Sequence, residues 1–284
     1  MAGYDSDCEK ICKSRIGGGQ FIMVQFYQGT PESVMERLHR TISYFDKSWS
    51  SKCVPASDEQ IQQLENICAE YGYYVPKVYL DYLKAMGEND GGLLEREWDG
   101  YMEPNLHTIL ELFDDEDFEA REYLQQGLLL FSYHWSDTHC YLRLTTHDDN
   151  PVVTDWEHHY FAGSFEKYLF QKAFNIYQEK FEHKLSVGTS IMTCDTLLKK
   201  YSFPCSICGG TDEEKMEFVR WLVVSLPDLH DKEAWFSDNQ NYCSYNEHYA
   251  LSINIHHSLR LVFSCDDIIL KKKIDTQLKR IFKR

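Results

Sequence analysis

Apolar side chains recur at three- and four-residue spacing in several stretches of the chain, as they do on the buried face of a helix. Two of these stretches open with a capping box, Ser57 with Gln60 and Thr211 with Glu214. In the earliest stretch, Pro31 suits the first helical position. The spacing predicts helices over about residues 31–45, 57–72, 76–87, 164–176, 211–227 and 266–284.

Shorter apolar and alternating runs predict strands. Leu128 to Tyr133 and His139 to Leu144 are predicted to pair as a hairpin around Asp137, with Pro151 to Trp156 as a third short strand. Further strands are predicted at 21–27, 249–255 and 259–264, the last two as a hairpin. Because helices and antiparallel strands come in runs and not as strand–helix–strand units, the sequence predicts an α+β fold.

The predicted elements fall into three blocks, residues 1–52, 53–184 and 185–284. The first is predicted to be a strand–helix extension that follows the irregular run Gly17 to Gly19. The second holds a mixed antiparallel sheet flanked by helices. The third is predicted to be a smaller α+β domain, and its sequence indicates no role.

Charge is distributed unevenly between these blocks. The chain has 29 Lys and Arg residues against 45 Asp and Glu residues, a net charge of -16. Residues 185–284 contain 13 basic and 13 acidic residues, so the whole excess lies in residues 1–184. Such a chain repels phosphates and anionic lipid, so we expect it to bind neither nucleic acid nor a membrane surface. A basic protein is the partner that the charge favours.

The sequence gives no sign of an active site. It has no G-x-S-x-G, no phosphate-binding loop, no G-x-G-x-x-G and no H-E-x-x-H. The acidic start, with Asp5, Asp7 and Glu9, does not suit a secretory signal, so the ten scattered cysteines are expected to be free thiols in a cytoplasmic protein. No apolar run approaches the ~18 residues of a membrane span. We therefore predict a protein that is not an enzyme and carries no cofactor.

Cys205 and Cys208 form the one C-x-x-C, just before the helix predicted at Thr211. This spacing suits a redox pair or half of a zinc site, and a helix amino terminus lowers a thiol pKa. The strand–helix–strand context of a thiol oxidoreductase and a second ligand pair are both missing from the sequence. A zinc or thiol-redox protein therefore stays an alternative, with two ordinary thiols as the simpler interpretation and no metal expected.

The most acidic stretch runs from Asp81 to Glu122, with 14 acidic and 3 basic residues. At its centre, aromatic side chains alternate with carboxylates, which suits an interface core with a charged rim. A solvated helix face is the alternative. The residues predicted here to bind a partner are Asp114, Asp115, Glu116, Asp117, Phe118 and Glu119.

Two predicted loops carry further aromatic candidates. Trp135 and Asp137 belong to the turn of the central hairpin, and Trp98 and Asp99 to a loop-like stretch before the acidic centre. Exposed aromatic residues in such positions are typical of binding hot spots, whereas packing in the core is the commoner fate of tryptophan. Both interpretations stay open.

The second block resembles the SUKH superfamily, which includes a yeast cell-wall assembly regulator and many bacterial proteins. The resemblance covers about residues 57–178. The sequence departs from the family pattern in two ways. It lacks a clear glycine at the start of the first hairpin strand, and it has an acidic insertion over residues 95–122. The matching pieces are Ile61 with Leu64-Glu65, Val75-Pro76 with Tyr79, Tyr82-Leu83 and the Asn89 to Gly92 turn, the Leu128 to Leu144 hairpin, and Pro151-Val152 to Trp156 followed by Ser164-Phe165 and Tyr168-Leu169.

The resemblance implies a binding protein and no catalysis. Most bacterial members of the superfamily resemble immunity proteins that neutralise polymorphic or contact-dependent toxins, many of which are nucleases with basic surfaces. We therefore predict an immunity protein that uses its acidic surface to bind a cognate, nuclease-type toxin. An intracellular scaffold or regulatory interaction module, as the fungal members imply, is the alternative.

Overall fold

The structure is a computed structural model, and it confirms the α+β class. Within the first block, Phe26 is the one described residue of the predicted strand 21–27, and the Gly17 to Gly19 run lies outside the described residues. The structure describes residues 26, 28, 32–94, 102–134, 139–145, 148–157, 159–189, 197–201, 203, 211–229, 232–255 and 258–282.

Among the described residues, all six predicted helices are present, the predicted strand 151–156 is reduced to Val153–Thr154, and two helices and six strands were not predicted. The helices are α1 (Val34–Phe45), α2 (Asp58–Glu70), α3 (Lys77–Met86), α4 (Leu106–Asp114), α5 (Ala120–Gln125), α6 (Phe165–Gln178), α7 (Asp212–Val224) and α8 (Ile268–Phe282). The strands are β1 (Cys53–Val54), β2 (Asn89–Asp90), β3 (Met102–Glu103), β4 (Leu128–His134), β5 (Cys140–Arg143), β6 (Val153–Thr154), β7 (Tyr160–Ala162), β8 (His183–Thr189), β9 (Asn241–Tyr245), β10 (Tyr249–Asn254) and β11 (Leu259–Cys265).

Local capping decides where the helices begin. The capping boxes predicted at Ser57 and Thr211 are both present. The start of α1 was predicted wrongly at Pro31. The helix begins at Val34, because Ser33 caps it and the Glu36 carboxylate accepts a 2.7 Å hydrogen bond from the Ser33 backbone nitrogen.

The central sheet has five antiparallel strands in the order β3-β4-β5-β6-β7. The predicted hairpin of β4 and β5 is confirmed, with Leu129 opposite Leu142 and an irregularity between Leu130 and Ser132. β4 is buried over most of its length and packs with α4 and α5. These contacts fix the acidic stretch against the sheet.

A second antiparallel sheet has the strand order β8-β11-β10-β9. Its β10–β11 hairpin was predicted, whereas β8 and β9 were not. Side chains from this sheet, α7 and α8 form one apolar cluster, in which Phe218, Leu251, Phe263 and Ile274 are all fully buried.

Helix α6 packs against helices of the first two blocks and against the second sheet. It contacts α1 and α3 on one side and β10 and β11 on the other. The Gln178 amide donates to the backbone oxygen of Val262 at 3.1 Å, and the Tyr177 hydroxyl donates to that of Asn246 at 2.9 Å. Phe236, from the third block, is fully buried with its ring 5.5 Å from that of Phe174. The apolar side chains of the central sheet and of α1 to α6 form the first apolar cluster, which therefore also includes Phe236 from the third block.

A tight turn over residues 89–94 follows α3. The buried carboxylate of Asp90 accepts 2.9 Å hydrogen bonds from the backbone nitrogens of Leu93 and Leu94. Gly91 has a positive φ of 67°, and a Cβ placed there would lie 2.7 Å from the Trp49 ring. This residue must be glycine for both conformational and steric reasons.

Candidate functional site

The predicted acidic residues lie together on an exposed turn between two helices. Asp114 is the last residue of α4, and Glu119 immediately precedes α5. Asp115, Glu116 and Asp117 form the turn between them, and all five carboxylates are exposed. The Asp115 side chain accepts a 2.9 Å hydrogen bond from the Asp117 backbone, which fixes the turn.

Phe118 points inward from this turn. Its ring is half-buried and meets the rings of His139 at 5.2 Å and Tyr133 at 5.7 Å, both nearly edge-on. Its neighbour Phe113 is buried with only 1% of its surface exposed. Phe113 therefore packs in the core, while Phe118 fastens the acidic turn to the sheet and still presents part of its ring to solvent.

Helix α2 adds carboxylates that the sequence analysis did not assign to the site. The Arg121 guanidinium donates to Glu70 of α2 at 2.9 Å and lies 3.7 Å from Asp114. A further 2.8 Å hydrogen bond from its Nε to the backbone oxygen of Phe113 holds α5 against α4. Only the three-dimensional contacts bring α2 beside the acidic turn, so sequence spacing carries no signal for it.

Together α2, α4, the turn and α5 form one surface, here called the acidic face. Residues 58–70 and 106–126 contain 11 acidic residues and a single basic one, Arg121. The members of the face are Asp58, Glu59, Glu65, Glu70, Glu111, Asp114, Asp115, Glu116, Asp117, Glu119, Glu122 and Arg121.

A shallow groove crosses the acidic face between α2 and Arg121. Its volume is about 630 Å³. Its lining is carboxylate, amide and one guanidinium, with a single aliphatic side chain, Ile67. The lining residues are Asp58, Glu59, Gln62, Gln63, Asn66, Ile67, Glu70, Asp114 and Arg121. A groove of this composition favours a cationic polypeptide over an apolar small molecule.

Five rings line the edge of the acidic face and are here called the aromatic row: Phe118, Tyr133, His139, Tyr141 and Tyr123. Tyr133 and His139 stack at 4.8 Å, and the Tyr123 and Tyr141 rings lie 5.3 Å apart. Burial and a hydrogen bond to Glu119 raise the pKa of Tyr123. Tyr123, Tyr133 and Tyr141 were not predicted as site residues, because the contacts between β4, β5 and α5 depend on the fold.

Several predicted residues lie outside the described residues. They are Trp98, Asp99, Trp135 and Asp137 of the partner-binding prediction, and Cys205 and Cys208 of the zinc or redox alternative. Those predictions stay open. Among the described residues, no three His, Cys, Asp or Glu side chains are grouped as a metal site would need.

The described cysteines include two thiols deep in the first apolar cluster. Burial raises the pKa of Cys68 and of Cys140 to about 12. The Cys140 sulfur also lies 3.6 Å from the Tyr168 hydroxyl. Both thiols therefore stay protonated near neutral pH and are poor nucleophiles.

Within the described part of the chain, no helix combines the length and the apolar character needed to span a bilayer. Comparisons with protein-family models, curated proteins and solved structures found no match to this chain.

Proposed function

We propose that this chain binds a basic protein through the acidic face. The observation that carries the proposal is the ratio of 11 acidic residues to one basic residue over α2, α4, the turn and α5. Coulombic attraction to such a surface raises the association rate of a cationic partner, and like-charged proteins are repelled. The half-buried rings beside the carboxylates supply the apolar contact that a stable interface also needs.

We further propose that the partner is a nuclease-type toxin and that the chain is its immunity protein. A nuclease must hold phosphates, so its substrate groove is cationic. The acidic face complements such a groove and would keep nucleic acid out by occupying it. The resemblance of residues 57–178 to the SUKH superfamily supports the same proposal.

Growth protection tests this proposal directly. Each member of a panel of basic nuclease toxins is induced in bacteria with and without this chain, and colony survival is counted. We expect one toxin to be neutralised and to co-purify with the chain at equimolar stoichiometry. Survival with none of them, including any toxin encoded beside the gene, would contradict the immunity proposal. Binding to a basic protein without protection would favour the scaffold alternative.

A matched pair of variants tests the role of the acidic face. Asp114→Asn, Glu116→Gln and Asp117→Asn together remove three charges from the face. Glu182→Gln, Glu213→Gln and Glu217→Gln remove three exposed charges elsewhere. We expect protection to be lost in the first variant and kept in the second, since their net charges are equal. Equal behaviour of the two variants would show that net charge, and not this face, determines binding.

A further inference from the structure

The aromatic row has a geometry that suits a flat cation. The Tyr133 and His139 rings are within 16° of parallel, and the Phe118 ring stands nearly edge-on to both. Phe118, Tyr123 and Tyr133 are half-buried, while His139 and Tyr141 are buried beneath them. The row therefore has a buried centre and three partly open rings at the surface.

The described cation–π pairs of this chain lie elsewhere. They join Arg37 to Phe170, Lys172 to Tyr168 and Lys200 to Tyr201. The open rings of Phe118 and Tyr133 make ring contacts within the described part of the chain but no contact of this kind. Both rings are partly exposed, so a cation from another molecule can reach them.

Polar groups lie at the end of the row where Tyr123 stands. Glu119 lies one helical turn before Tyr123, whose backbone nitrogen donates to the Glu119 carbonyl oxygen at 3.0 Å, and its exposed carboxylate has lone pairs for other donors. Tyr141 is fully buried, and its hydroxyl has no hydrogen-bond partner among the residues that the structure describes. This hydroxyl lies below the surface, so the exposed Glu119 carboxylate is the group that an entering donor reaches.

From these contacts we infer that the aromatic row is an arginine-binding site for the partner. A guanidinium stacks flat on an aromatic ring while its N–H groups donate sideways to a carboxylate or hydroxyl, which an ammonium does less well. The site takes an arginine side chain of a basic protein, with the rings of Phe118 and Tyr133 against the guanidinium and Glu119 opposite its charge. This inference rests on the proposed function and identifies the side chain that the acidic face selects.

Two labelled peptides of equal length and charge, an oligoarginine and an oligolysine, serve as probes of the full chain. Fluorescence anisotropy at low salt measures their dissociation constants. The acidic face attracts both peptides, whereas only the arginines can stack. We expect oligoarginine to bind about threefold more tightly or better, the size expected of exposed cation–π contacts. Equal affinities in the unaltered protein would overturn the inference.

Phe118→Leu combined with Tyr133→Leu removes the rings and keeps every carboxylate. We expect this variant to bind the two peptides equally and to keep its affinity for oligolysine. Tyr44→Leu, which replaces a tyrosine 44% exposed on α1, is the control and keeps the preference for arginine. A preference that survives loss of both rings would overturn the inference.

The experiment separates this inference from the proposed function. If neither peptide binds, or if the three-charge variant of the acidic face binds both as well as before, the proposed function fails. If binding depends on the carboxylates but not on the rings, only the arginine site fails. Should the double-leucine variant not fold, aromatic NMR shifts of Phe118 and Tyr133 in the unaltered chain replace it as the test. Larger shifts with oligoarginine support the site, and equal or absent shifts overturn it.

Discussion

Arg37 on α1 donates a 2.6 Å hydrogen bond to Glu166 on α6, and both side chains are largely withdrawn from solvent. The second Glu166 oxygen accepts from the Asn150 amide at 3.2 Å, and the Asn150 side chain accepts from the Glu166 backbone at 2.9 Å. The Arg37 guanidinium also lies 5.7 Å from the centre of the Phe170 ring. Helix α1 is thus joined to α6 through a buried charged pair as well as through apolar packing.

Arg37→Ala is expected to lower the free energy of unfolding by about 3 kcal/mol, because it leaves the Glu166 carboxylate buried without its cation. Urea denaturation measures the change. Arg40→Ala is the matched control, since Arg40 pairs with Glu32 on the exposed side of α1. The free energy of unfolding of this control should fall by less than about 1 kcal/mol. Equal losses in the two variants would show that burial does not strengthen the Arg37 pair.

Gly91→Ala is expected to destabilise the fold by about 3 kcal/mol, since it combines a left-handed backbone with a collision against Trp49. Gly72 separates the two causes. It has a positive φ of 79°, but a Cβ there would meet nothing within 4 Å. Gly72→Ala should therefore cost only about 1 kcal/mol. Similar melting temperatures for the two variants would contradict the predicted contact with Trp49.

Stability should depend on pH through Lys172, whose amine lies 4.5 Å from the Tyr168 ring centre. Burial lowers the pKa of Lys172 from 10.5 to about 7. Above pH 7 the folded state therefore releases a proton that the unfolded state keeps, and stability rises with pH until the unfolded amine also titrates. Below pH 7 both states bind the proton and the full cost of burying the charge remains.

Lys172→Met should remove this contribution. Relative to the variant, the free energy of unfolding of the unaltered chain is expected to rise by about 2 to 3 kcal/mol between about pH 7 and about pH 9. This rise follows from a slope of about 1.4 kcal/mol per pH unit for one proton. Denaturation of both proteins across this pH range measures the difference between their free energies of unfolding. The buried tyrosines and cysteines are the same in both proteins, so their titration cancels in this difference. A constant difference would show that Lys172 has an ordinary pKa.

A fragment that ends at Glu182 is expected not to unfold cooperatively. It lacks Phe236, whose ring fills the space between Phe170 and Phe174, and it lacks the Tyr245 hydroxyl that binds the Phe26 backbone. Calorimetry on the fragment measures this. Co-expression with residues 183–284 as a separate chain should restore a cooperative transition. A fragment that folds by itself would support the predicted division at residue 184.

The sequence was most informative where structure depends on near neighbours. The caps at Ser57 and Thr211 and the β4–β5 hairpin were predicted correctly, because each depends on residues a few positions apart. The start of α1 was misplaced, since Pro31 suits a helix start but Ser33 and Glu36 provide the stronger cap. The edge strands β8 and β9 were missed, because β8 is half exposed and both contain polar residues that hide the alternation.

In the candidate site, too, only the features that depend on near neighbours in the sequence could be predicted. The acidic residues of the turn and Phe118 were predicted as a binding site from composition and alternation alone, and that role stays a prediction. Arg121, Glu70 and Tyr133 were not predicted, because they meet the turn only after α2, α5 and β4 pack together. The contacts of α6 with the third block join residues 65 to 84 positions apart, as in the Gln171 bond to Phe236 and the Gln178 bond to Val262. No local pattern reports such distant neighbours.

Because α6 belongs to two packing environments, a substitution there has to satisfy both of them at once. Such a helix is expected to change slowly between related chains. The outer surfaces of α4 and α5 face solvent and carry no such double requirement. Under the proposed function, recognition of a new partner can therefore evolve on the acidic turn by single charge or ring replacements, while the shared helix keeps the architecture constant.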